Sequence, residues 1–256
     1  MGRSETRGFV VNQYKVFKRI DVFKIFKQFV FDYADKKILD FGGNRGNLIH
    51  YSNGEILEEN YTCLDVSREA LECLIEEHPN ATAVHWDRYH NTYNPTGSVS
   101  EKFPKLTKGL FGILSYYDIC FANSVFTHMS VKEMLFCLRY LQYNSNEIYF
   151  TYIDPENTRI FEVLRKRHGV INLSDKEIES LKEHDCSYIY DGKSISQSYC
   201  DKYQEVWTII KTDYLKELIA IDSPYIISMD SGMSTGFNWL KIKLEQRPPP
   251  IGMINY

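Results

Sequence analysis

The chain has 256 residues and a mass of 30.1 kDa, enough for one α/β core with a small added cap. Its net charge of -4 and isoelectric point near 6.0 create no overall attraction for a polyanion, which disfavours nucleic-acid partners. No stretch has the pattern of a signal peptide or the roughly 18 apolar residues of a membrane span, so we expect a cytoplasmic protein without a membrane partner.

The N-terminal part carries a helical pattern. From Gln13 to Tyr33, apolar residues recur at spacings of three and four, which predicts an amphipathic helical region and a helical cap over residues 1–35. The short apolar run of residues 38–41 then stops at a glycine-containing turn, as a buried strand does. A helix is predicted behind that turn, over about residues 46–51.

Strands and helices alternate from there to residue 152. Short apolar runs predict further strands at residues 61–66, 81–86, 117–123 and 147–152. Ser67 is placed to cap a helix that extends to about His78, and Ser130 with Glu133 forms a capping box for a later helix. This alternation predicts an α/β fold with a Rossmann-like, doubly wound, mostly parallel sheet.

The regular alternation breaks after the fifth strand. Residues 154–207 are therefore predicted to be an insertion, and their tyrosines could form a lid over a substrate, pack against the core or make a homodimer surface. A helix at 212–220 and strands near 225–229 and 237–244 then complete a seven-stranded sheet. The predicted units are thus a cofactor-binding core of residues 36–153 and 208–246, the inserted substrate lid and a tail of residues 247–256.

The loop after the first strand carries the main functional signal. Residues 40–46, with the sequence Asp-Phe-Gly-Gly-Asn-Arg-Gly, join a strand to a helix. Glycines there permit a tight turn and close approach of a ligand, and the helix N-terminus offers free N–H groups. Asp65 ends the next strand about 25 residues later, where a carboxylate can accept both ribose hydroxyls of an adenosine-containing cofactor. Together these features predict a cofactor site.

The same loop discriminates between cofactors. Its glycines do not follow the G-x-G-x-x-G spacing of dinucleotide-binding loops. Asp40 would repel a pyrophosphate but suits the cationic amino-acid end of S-adenosylmethionine. The loop therefore favours the methyl donor over a nicotinamide dinucleotide.

At this point the sequence resembles the class I S-adenosylmethionine-dependent methyltransferases, in particular their small-molecule branch. The resemblance covers about residues 36–152, with weaker agreement at 212–244. Asp40, Gly42 and Gly46 match the first motif of the family, while Asn44 replaces its middle glycine. Asparagine tolerates left-handed backbone better than most residues, so we expect the turn to survive.

The resemblance implies roles for further residues at the ends of later strands. Val66 would lie beside the adenine, and Asp87 would face the adenine amino group. The segment of residues 121–129 resembles the one that passes under the methionine moiety. The full set of expected cofactor-binding residues is Asp40, Gly42, Gly43, Asn44, Gly46, Asp65, Val66, Trp86, Asp87, Arg88, Asn123, Ser124 and Val125.

Methyl transfer from a sulfonium mainly requires in-line placement of the reactants. If the acceptor is a hydroxyl or carboxylate, His128 is the candidate general base, although the same histidine could simply precede a helix. The long connection that begins near Tyr89 follows a strand at its carboxyl end, where loops tend to build substrate pockets. The expected substrate-binding residues are Tyr14, Tyr89, Tyr93, His128, Tyr152 and Tyr199.

The predicted function is S-adenosylmethionine-dependent methylation of a small molecule, with O-methylation of a metabolite or natural-product intermediate as the leading hypothesis. The alternatives are methylation of a peptide or RNA, an NAD-dependent oxidoreductase, and a non-catalytic methyltransferase fold that acts as a binding partner. Six cysteines, at positions 63, 73, 120, 137, 186 and 200, form no C-x-x-C pair. We therefore expect reduced thiols, with neither disulfides nor a bound metal.

Overall fold

The computed structural model describes residues 21–88, 94, 96–97, 116–129, 131–154, 156, 188–190, 207–221, 225–234 and 237–245. The α-helices in these ranges are α1 (Val22–Phe26), α2 (Asn47–Ser52), α3 (Arg68–Glu77), α4 (Val131–Asn144) and α5 (Thr212–Ile221). The strands are β1 (Ile38–Phe41), β2 (Tyr61–Asp65), β3 (Thr82–His85), β4 (Tyr117–Ala122), β5 (Ser145–Tyr152), β6 (Tyr188–Tyr190), β7 (Trp207–Ile209), β8 (Ile226–Ser234) and β9 (Phe237–Leu244). Short 3-10 helices cover Glu58–Asn60 and Phe126–His128.

Seven strands form one sheet in the order β3-β2-β1-β4-β5-β9-β8. The pairings from β3 through β5 are parallel, and β9 runs antiparallel to both of its neighbours. This confirms the predicted Rossmann-like, mostly parallel seven-stranded sheet. The strand order reverses between β1 and β4, and in open α/β sheets such a switch point opens a crevice at the carboxyl ends of the strands.

The central strands are buried on both faces, as parallel strands are when helices cover a sheet on both sides. Successive side chains point to opposite faces, so Ile38 belongs to one apolar cluster and Leu39 to the other. Helices α1, α2 and α3 contribute to the Ile38 cluster, whereas α4 and α5 contribute to the Leu39 cluster. The fold is thus doubly wound, with a core layer on each side of the sheet.

The N-terminal helical region differs from the prediction where the structure describes it. Helix α1 begins after Asp21, whose side chain accepts a hydrogen bond from Lys24 N at 2.9 Å, and it ends at Phe26. The apolar pattern continues beyond Phe26 because Phe29 packs on the ring of Trp239, with 4.8 Å between ring centroids, while the backbone has already left the helix. The spacing of the apolar residues therefore reflects which side chains contact the sheet, not how long the helix is. Residues 1–20 lie outside the described part of the chain.

The starts of α3 and α4 and the length of β8 compare with the prediction as follows. Ser67 Oγ accepts a hydrogen bond from Ala70 N at 3.2 Å, which confirms the predicted N-cap of α3. Helix α4 begins at Val131, directly after the expected cap residue Ser130, which lies outside the described residues. Strand β8 extends to Ser234 and is longer than predicted, because it pairs with β9 over nearly its whole length.

Parts of the predicted insertion are described. Strands β6 and β7 pair antiparallel in a separate two-stranded sheet, and β7 lies near the 3-10 turn Phe126–His128. Most of residues 154–207 and the tail from 246 onward lie outside the described ranges, so the domain boundaries stay predictions. Among the helices of the described ranges, none combines the length and the hydrophobicity that crossing a bilayer requires.

Candidate functional site

Three loops meet at the carboxyl edge of the sheet, next to the switch point. Gly42, after β1, donates a hydrogen bond from its N–H to Leu64 O at 2.7 Å. Asn44 N donates to Asp65 Oδ2, also at 2.7 Å, so the first loop is held against the end of β2. On the other side, a Cβ atom on Gly42 would lie less than 3.0 Å from a methyl group of Val125, which follows β4. The loops predicted to bind the cofactor are therefore packed against one another.

Alternate residues of the first loop have left-handed backbone. The φ angles are 75° at Gly42, 54° at Asn44 and 72° at Gly46. Asn44 thus adopts the conformation that a glycine would supply, and its Oδ1 accepts a hydrogen bond from Arg45 N at 2.8 Å. Asparagine is among the few residues that reach this region at modest cost. The departure from the family motif leaves the shape of the loop intact.

Gly43 is required for a different reason. Its backbone does not need a glycine, but a Cβ atom there would lie less than 3.0 Å from the carboxylate of Asp40 and 2.8 Å from Cys63 Sγ. The loop therefore passes directly over a buried carboxylate. Only a residue without a side chain lets the two approach this closely.

Asp40 lies buried beneath the loop. Its Oδ2 accepts a hydrogen bond from the hydroxyl of Tyr61 at 2.5 Å. The pKa of Asp40 is raised to about 7, mainly by burial and in smaller part by the charge of Asp65, while the Tyr61 hydrogen bond acts in the opposite direction. Asp40 is thus a carboxyl group that titrates near neutral pH. Sequence reasoning missed Tyr61, which lies on β2 and reaches Asp40 across the sheet.

The raised pKa of Asp40 predicts a pH dependence of stability. The folded chain holds an extra proton between about pH 4, the ordinary value for an aspartate, and about pH 7. Stability from this group is therefore greatest at low pH and falls as the pH rises through that interval. We expect Asp40→Asn to stabilise the protein more at about pH 8 than at about pH 5, relative to the wild type, as measured by urea denaturation. An identical effect of the substitution at both pH values would contradict this prediction.

Asp65 is the buried carboxylate at the end of β2. Its Oδ2 accepts from Asn44 N and its Oδ1 accepts from Ser67 N at 2.8 Å, so it connects the first loop to the start of α3. Burial raises the pKa of Asp65, while these backbone N–H groups lower it. A carboxylate offers about four lone-pair positions, so acceptor capacity remains for ribose hydroxyls beyond the N–H groups of Asn44 and Ser67. The residue is thus both a structural link and a suitable ribose acceptor.

The residues after β3 are held by the core. The ring of Trp86 is buried against Phe41, with 5.9 Å between ring centroids, and its backbone N–H donates to Asp65 O at 2.8 Å. Arg88 lies over the Trp86 ring at 5.3 Å and forms an ion pair with Glu133 of α4. Arg88 therefore attaches this segment to α4.

Asp87 and Val66 complete the expected adenine side. Asp87 Oδ1 accepts a hydrogen bond from Asn94 Nδ2 at 3.2 Å, and the same amide nitrogen donates to Arg88 O at 2.9 Å. Val66 is partly buried, and its carbonyl oxygen lies 3.1 Å from His85 Nε2. Both residues lie at the carboxyl ends of their strands, as the resemblance implied.

The segment after β4 contains a strained residue. Ser124 has a φ angle of 58°, and its N–H donates to Thr151 Oγ1 of β5 at 2.7 Å. A non-glycine residue in this region costs of order 1 kcal/mol, and such strain concentrates at functional sites. Ser124 lies between Asn123 and Val125, the two other residues expected under the methionine moiety. Thr151 was not singled out from the sequence, because nothing local marks its contact with Ser124.

The predicted catalytic and substrate residues have different surroundings. His128 ends the 3-10 turn after β4, is partly exposed, and its N–H donates to Val125 O at 3.0 Å. Tyr152 is only 2% exposed, its hydroxyl lies 2.5 Å from Thr212 Oγ1, and burial raises its pKa to about 12. This position in the core does not support the expected substrate contact of Tyr152. The remaining expected substrate residues lie outside the described part of the chain: Tyr14, Tyr89, Tyr93 and Tyr199.

Comparison with known proteins identifies the class of fold. No protein-family model and no curated sequence matches the chain. Among solved structures, an S-adenosylmethionine-dependent methyltransferase from Anabaena variabilis aligns with a TM-score of 0.50 at 15% identity, covering 89% of this chain and 86% of that one. The glycopeptide N-methyltransferase MtfA, solved in complex with S-adenosylmethionine, aligns with a TM-score of 0.50 at 7% identity, covering 88% and 93%. The chain therefore has the class I methyltransferase fold, as its motifs indicated.

Proposed function

We propose that this protein is an S-adenosylmethionine-dependent methyltransferase. The observation that carries the proposal is Asp65, a buried carboxylate next to the switch point whose hydrogen bonds hold the Asn44 loop and leave acceptor capacity for ribose hydroxyls. The left-handed residues of that loop bring backbone close to the same crevice. These residues fit an adenosine-containing cofactor by the chemistry of their donors and acceptors.

Two features favour the methyl donor over a nicotinamide dinucleotide. The first is the antiparallel position of β9, since the common dinucleotide-binding sheet has the order 3-2-1-4-5-6 without a reversed strand. The second is Asp40, whose carboxyl group lies directly under the loop. A nearby ammonium group would favour the ionised form of Asp40, whereas a pyrophosphate would oppose it.

In the proposed reaction, the cofactor supplies a methyl group already activated on a sulfonium. The contribution of the protein is to orient donor and acceptor and to exclude water. Asp65 and the loop of residues 40–46 would hold the cofactor. His128, on the partly exposed turn after β4, is the candidate base that removes a proton from an acceptor hydroxyl.

A small molecule is the proposed acceptor, with oxygen as the methylated atom. The net charge of -4 gives no basic field that would gather RNA. The predicted inserted segment returns to the core through β7, which lies near the turn that carries His128. That placement is suitable for a cap that encloses a small acceptor at the carboxyl edge of the sheet.

The proposal is tested first by calorimetry with S-adenosylmethionine and its demethylated product. We expect binding of both in the micromolar range, and no binding at about 1 mM would contradict the proposal. Incubation with labelled methyl donor and separate metabolite, peptide and RNA fractions then identifies the acceptor class. We expect His128→Ala to lower the turnover rate by about 100-fold and to leave the cofactor affinity unchanged. Retained binding without turnover on any fraction would instead indicate a non-catalytic binding partner.

A further inference from the structure

A second cluster of titratable side chains lies behind the first loop, where α2 approaches the end of α3. It contains His50 of α2, Glu77 at the end of α3, and His78 directly after it. One nitrogen atom from each histidine and one carboxylate oxygen lie within 4.8 Å of one another. The side chains are 38%, 31% and 17% exposed, respectively, so the cluster is partly accessible to solvent.

His78 is held in one orientation by a carboxylate. Its Nδ1 lies 3.0 Å from Glu58 Oε1, and the other oxygen of Glu58 accepts a hydrogen bond from Asn80 N at 3.0 Å. Within the described residues, His78 Nε2 is buried and has no hydrogen-bond partner. A buried polar atom without a partner is costly, so His78 Nε2 gains from any ligand that it can bind. Histidines that bind metal commonly use one ring nitrogen while a carboxylate holds the other.

The two carboxylate oxygens of Glu77 also have different partners. Oε1 accepts a hydrogen bond from Arg45 Nη2, whereas Oε2 lies 3.4 Å from His50 Nδ1. Arg45 can therefore keep its contact with one oxygen while the other faces the histidines. Both Glu77 and His78 thus have an outer partner that would orient them toward a shared ligand.

From this arrangement we propose that His50, Glu77 and His78 form a binding site for a divalent transition-metal ion of the zinc type. Two imidazole nitrogens and one carboxylate oxygen suit zinc and its neighbours, whereas calcium and magnesium prefer oxygen ligands alone. Ligands 2.0 to 2.2 Å from a tetrahedral ion lie about 3.3 Å apart. The three ligand atoms, which now lie within 4.8 Å of one another, can reach this separation by side-chain rotation. The partial exposure of His50 and Glu77 permits that rotation.

Such an ion would connect three parts of the molecule. His50 belongs to α2, Glu77 and His78 to the end of α3, and Arg45 to the loop that holds Asn44 against Asp65. Binding therefore stabilises the folded state, because the unfolded chain does not bring these residues together. The site is separate from the proposed cofactor crevice, so its test does not depend on S-adenosylmethionine.

The test uses the full chain without a polyhistidine tag, treated with a chelator and then titrated with Zn²⁺ by calorimetry and with Co²⁺ by visible absorbance. We expect one ion per chain, an affinity in the micromolar range and a higher melting temperature. His50→Ala and His78→Ala should each weaken binding at least about 10-fold. Glu58→Gln, a positioning variant, should weaken it about 10-fold without changing the stoichiometry.

Glu76→Gln is the matched control for Glu77→Gln, since the two glutamates are neighbours on α3 and Glu76 is exposed. Loss of affinity in Glu77→Gln alone supports the site. His50→Ala alters a partly exposed side chain, so it keeps the proposal testable if His78→Ala fails to fold. Absence of binding at about 1 mM ion, or binding that both histidine substitutions leave unchanged, overturns the proposal.

Discussion

Asp65→Ala is expected to weaken the binding of S-adenosylmethionine by about 100-fold or more. Two hydrogen bonds from ribose hydroxyls to a carboxylate contribute about 1.5 kcal/mol each at the low end of the range for charged acceptors. About 1.4 kcal/mol corresponds to a factor of ten in affinity, so losing both bonds gives roughly two orders of magnitude. Calorimetry with the demethylated product measures the effect directly.

The substitution also removes a structural link, so it needs a control with the same structural cost. Asp154 provides one, because it is buried like Asp65 and also accepts two backbone N–H groups, from Glu156 and Thr212, each at 2.8 Å, in addition to the Thr212 hydroxyl. Asp154 follows β5, whereas Asp65 is the last residue of β2. We expect Asp154→Ala to destabilise the fold comparably while changing cofactor affinity less than about 3-fold. Equal loss of affinity in both variants would contradict the role assigned to Asp65.

Gly43→Ala is expected to destabilise the protein by about 2 to 3 kcal/mol and to abolish measurable cofactor binding. The added methyl group would overlap the Asp40 carboxylate and Cys63 Sγ, so the loop must move outward. That movement pulls Asn44 away from Asp65 and changes the surface offered to the cofactor. Urea denaturation and calorimetry measure the two effects separately.

Gly54→Ala is the control for Gly43→Ala. Gly54 has a φ of 85°, and a Cβ atom there would have no neighbour within 4 Å, so the substitution causes backbone strain of about 1 kcal/mol without crowding. The double variant Gly43→Ala with Asp40→Ala should recover part of the lost stability, because the smaller side chain leaves room for the methyl group. Additive effects of the two substitutions would show that the crowding is not with Asp40.

The order of the core elements could be predicted from the sequence because parallel strands covered on both faces appear as continuous apolar runs. Strand β1 was predicted with its observed bounds, and Ser67 with its observed capping role. The helical region was predicted to continue to Tyr33, whereas α1 ends at Phe26. Apolar spacing of three and four cannot distinguish a helix from a turn whose side chains, such as Phe29, pack on a distant strand.

In the candidate site, too, some residues could be predicted from the sequence and others could not. Asp40 and Asp65 were recognised from local signals, since Asp40 directly precedes the glycine loop and Asp65 is the last residue of its strand. Tyr61 and Thr151 were not, since their contacts with Asp40 and Ser124 join residues 21 and 27 positions apart. The proposed metal cluster has no local sequence pattern either, since its residues are 27 and 28 positions apart along the chain from His50 to Glu77 and His78. His50 of α2 comes close to Glu77, and Glu58 of the 3-10 helix Glu58–Asn60 comes close to His78, only in the folded chain.

The sequence by itself therefore determined which elements follow one another along the chain. These are the buried strands, the glycine-containing turns and the acidic residues near the strand ends. These depend on local conformational preference and on burial, both of which leave a pattern within a few residues. Only the tertiary structure decided which side chains meet, such as the Tyr61 hydroxyl with the Asp40 carboxylate, and how each carboxylate titrates. Those properties depend on burial and on charges brought close by folding, which residues distant in sequence supply.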